Sequence, residues 1–376
     1  MTSKLNFKRP LNHREAAKYI STVGDEITVI LTAEPGVGKT ALLHTLAQMN
    51  GDSWKKPGEF PENDKYDYIY VDCPTKDMGD MAMNIPVHEQ RELVSYVAAM
   101  LNLRSPKPKV LLLDEFLKTP KLMKILFTRL IQERYIGDTP LPDGSIVYAT
   151  SNNTGEGLGD TLAAHEGNRV CVVEYAKPTN EEWVRWANLN GISALTRAWA
   201  SLNPSAFHSY RQLNDGELNK NGFIYNPRNP LQSVTFCSPR SLAKNDKIVR
   251  NRTILGEDVS LAGMKGTVGI TAAESMHAFF LIEKDLIPVR QIIENPKKIP
   301  IPTNPGALLM ILFNSVDEIK IQDDLSSFME FVERLSNKEW QSIFYTSICQ
   351  DRRTVRLAKN NKHLSKWIQD NFYLFT

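Results

Sequence analysis

Cysteine is scarce: there are four in 376 residues, at Cys73, Cys171, Cys237 and Cys349, and no two form a Cys-x-x-Cys pair. Such scattering argues against a disulfide framework or a zinc knot and for reduced thiols in a reducing compartment. Long hydrophobic runs are missing too. The run 307–313 (ALLMILF) is among the longest and falls far short of the ~20 residues that cross a bilayer. Residues 1–15 hold no apolar core of the kind a signal peptide needs. Neither sign of charge dominates, because 45 Lys and Arg stand against 43 Asp and Glu for a formal net charge of +2. Bulk charge therefore argues neither for nor against nucleic acid. Internal repeats and low-complexity tracts are absent. What these exclusions leave is a soluble intracellular protein with no membrane partner expected.

Hydrophobic residues make up 42% of the chain and charged residues 23%, which is ordinary soluble usage, and the length suits two or three domains. The first half alternates strand-like and helix-like stretches, the pattern of a parallel sheet with helices on both faces. Segments 27–32 (ITVILT), 66–72 (YDYIYVD), 110–113, 146–150 and 169–174 read as strands. Between them, Leu93, Val97 and Leu101 share one face of an expected helix, and Leu122, Ile125, Leu126 and Leu130 one face of another. The polar stretch 51–65 is expected to be an exposed connection. After Pro178 strand signals thin out. Thr179 followed by Glu181 and Glu182 makes a good helix start, and a helical unit continues to about Gly256, interrupted by a loop over 214–230. The section 257–376 is again mostly helical, with a proline-rich break at 296–305.

Residues 33–40 read A-E-P-G-V-G-K-T, the pattern G-x-x-x-x-G-K-[ST] with Ala33 in place of the first glycine. A chain leaving a strand must wrap its N–H groups around anionic oxygens, and glycines permit that close approach. Ala33, Glu34, Pro35, Gly36, Val37, Gly38, Lys39 and Thr40 form this cradle. Lys39 adds a point charge to the β- and γ-phosphates, and the Thr40 hydroxyl suits Mg²⁺. The helix that follows turns its positive end to the same place. The plainer alternative is a glycine turn between strand and helix. Residues 109–116 read K-V-L-L-L-D-E-F: a buried strand ends in two acids at the edge where α/β sheets hold ligands. Asp114 suits the metal shell and Glu115 the attacking water; a solvated acidic turn is the plainer alternative. Asn152, closing the next strand, would stand near the γ-phosphate if that strand lies beside 110–113.

Together these segments resemble the AAA+ ATPases, and within them the MoxR-like branch, including versions carried by bacterial viruses. The resemblance runs from about Leu11 through a helical lid and loosely into 266–273 (GTVGITAA). It implies a P-loop AAA+ αβα sandwich with a parallel sheet over 1–176, a lid over 177–256 and a helical C-terminal extension over 257–376. It makes AEPGVGKT the Walker A element, VLLLDEF Walker B and Asn152 the sensor-1 residue. Arg169, in G-N-R-V, falls at the arginine-finger position, with Arg134 in reserve. The sensor-2 element matches 237–242 (CSPRSL), which assigns Arg240; Ser238 is a natural cap and Pro239 suits the first helical turn.

The resemblance further implies hydrolysis of ATP with Mg²⁺, assembly into a homo-oligomeric ring (a hexamer), and remodelling of a protein client, such as one of the von Willebrand factor A type. The expected location is the cytoplasm of a bacterial cell or infected host. A DNA-directed motor of the same class is the second reading, and near-neutral charge without a DNA-reading motif counts against it. A nucleotide-gated scaffold that scarcely hydrolyses ATP is the third, and the intact acid pair opposes it. Other features read as packing or solvated surface: Trp183 and Trp186 as lid core, Gly263, Gly266 and Gly269 as close helix packing, and the basic residues of 352–366 as a solvated face. Met78, Met81 and Met83 are expected to offer an adaptable apolar surface where the family places a pore loop.

Overall fold

The computed structural model describes residues 9–51, 65–89, 91–152, 167–229, 234–351 and 353–371. The chain divides between Lys177 and Pro178 into two compact units.

In the first unit, five parallel strands form one sheet: β1 (Val29–Ala33), β2 (Asp67–Asp72), β5 (Lys109–Asp114), β8 (Ile146–Asn152) and β9 (Cys171–Glu174), in the spatial order β2-β5-β8-β1-β9. All five were expected from sequence, because strands buried on both faces must be apolar at nearly every position. Alternate residues serve opposite layers. Val29, Leu31, Val110, Leu112, Ile146 and Tyr148 pack on α1 (His13–Val23) and α2 (Leu42–Met49). Ile30, Leu111, Leu113, Val147 and Ala149 pack on the other side, against α3 (Lys121–Glu133). The result is an αβα sandwich. Two small hairpins complete the described part, β3 (Ala82–Val87) with β4 (Glu92–Val97) and β6 (Tyr135–Ile136) with β7 (Thr139–Pro140).

The structure corrects three expectations here. Residues 92–97 are a strand, not part of a helix; the i, i+4 spacing of Leu93 and Val97 coexists with β-branched and aromatic residues that pair across a hairpin, a short-run ambiguity that periodicity leaves open. The helix α3 forms, but it buries Met123, Phe127, Leu130 and Ile131 and leaves Leu122 and Ile125 more than 70% exposed. Two apolar rows run along this helix, and the bulkier Phe127 row faces the sheet. Of the three methionines, Met81 is core while Met78 and Met83 are exposed.

The second unit is helical. Asn180–Leu189 starts at a capping box between Thr179 and Glu182, and Pro239–Arg250 at one between Ser238 and Ser241. The stretch 214–230, expected as loop, contains the short helix Asp215–Lys220, capped by Asn214. Helix Pro305–Glu318 explains the run 307–313: Leu309, Met310 and Phe313 join a core with Trp183, Trp199, Leu242 and Met276, while Leu308, Ile311 and Leu312 join another with Phe328, Phe331 and Phe344. A helix shared by two cores is apolar all round. Trp183 is buried as expected, whereas Trp186 stays partly exposed. Among the described residues no helix is long and apolar enough to cross a membrane.

Candidate functional site

The carboxyl ends of β1, β5 and β8 meet at one edge of the sheet. The register places Ala33 beside Asn152 and Leu113 beside Ala149. The turn after β1 passes through Gly36 at φ 76° and Gly38 at φ 97°, values that side chains resist and glycine accepts. Ala33 closes β1 in extended conformation, so the backbone does not demand glycine there. Its carbonyl, with that of Glu34, accepts hydrogen bonds from Lys39 Nζ at 3.2 and 3.1 Å. Lys39 also donates to Asn152 Oδ1 at 2.8 Å. A largely buried ammonium is thereby aimed along the strand ends.

Thr40 Oγ1 donates to Asp114 Oδ2 at 3.2 Å, and Tyr70, on β2, reaches the same oxygen at 3.1 Å. Thr150 donates to Asp114 Oδ1. Glu115 follows with a left-handed backbone, φ 53° and ψ 35°, rare for a residue with a Cβ, and its carboxylate pairs with Lys118 Nζ at 2.7 Å. The structure thus brings together Lys39, Thr40, Asp114 and Asn152, with Glu115 adjoining. Sequence reasoning missed Tyr70, Thr150 and Lys118. Lys118 stands three residues from Glu115, a spacing that alone signals an ion pair; the other two depend on strand order. Burial, reinforced by the negative charge of Asp114 and by Tyr175, raises the Tyr148 hydroxyl pKa well above its usual value, so this neighbour of the site stays neutral.

Two further candidates, Arg169 and Arg134, lie at the opposite edge of the sheet. Arg169 is exposed two residues before β9, at the amino edge of the sheet, where it donates to Gln132 Oε1. Arg134, at the same edge, is spent on the fold: it donates to the carbonyls of Gly24 at 3.0 Å and Ile131 at 2.9 Å and to Thr28 Oγ1 at 2.5 Å. Burial lowers its pKa. Arg240, in the second unit, is exposed on the first turn of helix Pro239–Arg250. Asn153 and Arg352 lie outside the described residues.

No family model and no curated protein matches the chain. Solved structures do resemble it. RuvB, the Holliday junction branch migration motor of Thermotoga maritima, is 16% identical over 88% of this chain and 94% of its own, with a TM-score of 0.37. A putative ATPase from Cytophaga hutchinsonii is 15% identical over 77% and 90%, at 0.32. NtrX from Brucella abortus is 13% identical over 72% and 68%, at 0.30. At these identities nothing of those proteins' activities passes to this chain, whose reading rests on its own residues.

Proposed function

We propose that this protein is a P-loop ATPase of the AAA+ class, MoxR-like in its branch, that assembles as a ring and spends ATP hydrolysis on remodelling a protein client. One observation carries the reading. Two hydrogen-bonded pairs, Lys39 with Asn152 and Thr40 with Asp114, stand at the carboxyl edge of a parallel sheet, where such sheets hold nucleotides. The donor set fits magnesium: hard oxygens from one hydroxyl and one carboxylate, with the remaining positions left to water and phosphate. Magnesium held there would supply neutralisation of the negative charge that develops on phosphate oxygens.

In this mechanism the turn over 33–40 wraps the phosphates with backbone N–H groups, and Lys39 exchanges its present oxygens for those of the terminal phosphate. Thr40 and Asp114 would hold the metal. Glu115 accepts a proton from the attacking water, for which it must leave Lys118, and the Asn152 amide orients that water. Arg169 acts on a neighbouring copy and Arg240 reports nucleotide state from the lid. The division into nucleotide-binding domain (1–176), lid (177–256) and extension (257–376) belongs to the same proposal. Exposed Met83, Ile85, Leu93 and Tyr96 on the β3–β4 hairpin offer apolar surface for a protein client.

The test uses two variants. Lys39→Ala is expected to abolish ATP binding. Glu115→Gln is expected to keep ATP bound while turnover falls about 10²- to 10⁴-fold, and to trap the client for identification. Wild-type protein that binds no ATP ends the ATPase reading, and turnover stimulated by duplex DNA moves it to a DNA-directed motor.

A further inference from the structure

We propose that Thr150 is a positioning residue that locks the metal-binding and base-bearing acids into one geometry; the inference rests on the ATPase reading above. Thr150 is fully buried on β8, and its single hydroxyl makes two contacts. It donates to Asp114 Oδ1, and its oxygen accepts the backbone N–H of Glu115 at 3.3 Å.

Chemistry fixes the direction of both bonds. An ionised carboxylate only accepts, and a backbone N–H only donates. The one hydroxyl proton therefore points to Asp114, and a lone pair is left facing Glu115. Rotating the hydroxyl to serve another partner would forfeit one contact and leave a buried group unpaired. Thr40 and Tyr70 cannot substitute, since both reach only Oδ2.

The second contact matters because of what it holds. Glu115 sits in the left-handed region, a conformation that persists only where its surroundings enforce it. Anchoring its N–H to the neighbouring strand fixes the direction in which the Glu115 side chain leaves the sheet. The same hydroxyl, through its own bond to Asp114, ties it to the carboxylate oxygen opposite the one that faces Thr40. Thr150 lies two residues before Asn152, so a displacement of β8 would move the amide, the metal carboxylate and the base together.

Thr150→Val removes the hydroxyl and keeps the shape. The expected result is a fall in kcat of about 10- to 100-fold, the usual effect of losing a residue that orients a metal ligand, with the half-saturating Mg²⁺ concentration rising. Binding of a fluorescent ATP analogue without Mg²⁺, which depends on Lys39 and the turn, should stay within about twofold. Thr150→Ser should restore most of kcat. If Thr150→Val lacks the wild-type unfolding transition, Thr150→Cys, a weak donor of similar size, replaces it and should show the same split at smaller size. A variant without the hydroxyl that matches wild type in kcat and Mg²⁺ dependence overturns the proposal, as does a serine variant no better than valine. Wild-type protein that fails to hydrolyse ATP is a different outcome, and it removes the ATPase reading itself.

Discussion

The two edges of the central sheet treat buried cations differently. At the amino edge, Lys109 and Asp67, the first residues of β5 and β2, form an ion pair at 2.5 Å with both side chains inaccessible. Asn102 Nδ2 and the Ser105 carbonyl complete it. Arg134 closes the same edge by stapling the end of α3 to the turn before β1. At the carboxyl edge, Lys39 meets two carbonyls and an amide oxygen, and Asp114 meets three hydroxyls. Ion pairs consume charge within the fold. Neutral oxygens orient charge without cancelling it, which under the proposed function lets a phosphate take their place. One sheet therefore has an edge closed by a fully buried ion pair and an edge where hydroxyl, carbonyl and amide oxygens orient the charges of Lys39 and Asp114.

Arg169 is the exception that tests this contrast most severely, since it is an exposed cation at the amino edge. If it serves the site of an adjacent copy, Arg169→Ala should leave nucleotide binding intact and lower turnover by about 10³- to 10⁵-fold. ATPase rates at protein concentrations that support assembly measure this, and a normal rate removes Arg169 from the mechanism. Lys109→Met should act on stability instead. It strands the buried Asp67 carboxylate and should cost about 3–5 kcal/mol in urea unfolding, most of which Asp67→Leu in the same chain should return. Lys39→Ala should leave the unfolding midpoint near wild type. Equal midpoints for the Lys109 and Lys39 variants would erase the distinction between the edges.

The site's outline was legible in sequence because its parts are local. Glycines that accept positive φ, a lysine and a threonine follow a strand within eight positions of one segment, and two acids close another. The five strands were legible because both faces of the sheet are covered, so apolar runs had no other use. Thr150 was hidden. A threonine within a strand is ordinary, and its contact lies 36 positions away, decided by which strands are neighbours. Tyr70 is hidden for the same reason across β2 and β5. Periodicity also misread segments with two apolar rows, as in α3, and took a hairpin for a helix at 92–97, because spacing says which residues align and not which row meets the sheet.

The smallest expected effect carries the contrast into the second unit, where another buried cation is held by carboxylates. Arg197 is buried over the Phe313 ring at 5.0 Å and approaches Asp317 at 3.5 Å. Arg353 bridges Asp317 at 2.5 Å and Asp351 at 2.6 Å. Burial pushes the Asp351 carboxyl up, but the hydrogen bonds and charge of Arg353 outweigh it, leaving the group below its ordinary value of 3.8. A depressed carboxyl stabilises the fold fully above that ordinary value, and the contribution is lost as pH falls through the lower folded value. Because Arg353 is half exposed, Arg353→Met should cost only about 1 kcal/mol at pH 7. That difference should shrink as unfolding is measured at pH values falling below 3.8, because protonation of Asp351 removes the charge that Arg353 serves. An equal cost at neutral and at these lower pH values would mean that Arg353 contributes by packing its stem, and this cluster would then not belong with the ion pair at the amino edge of the sheet.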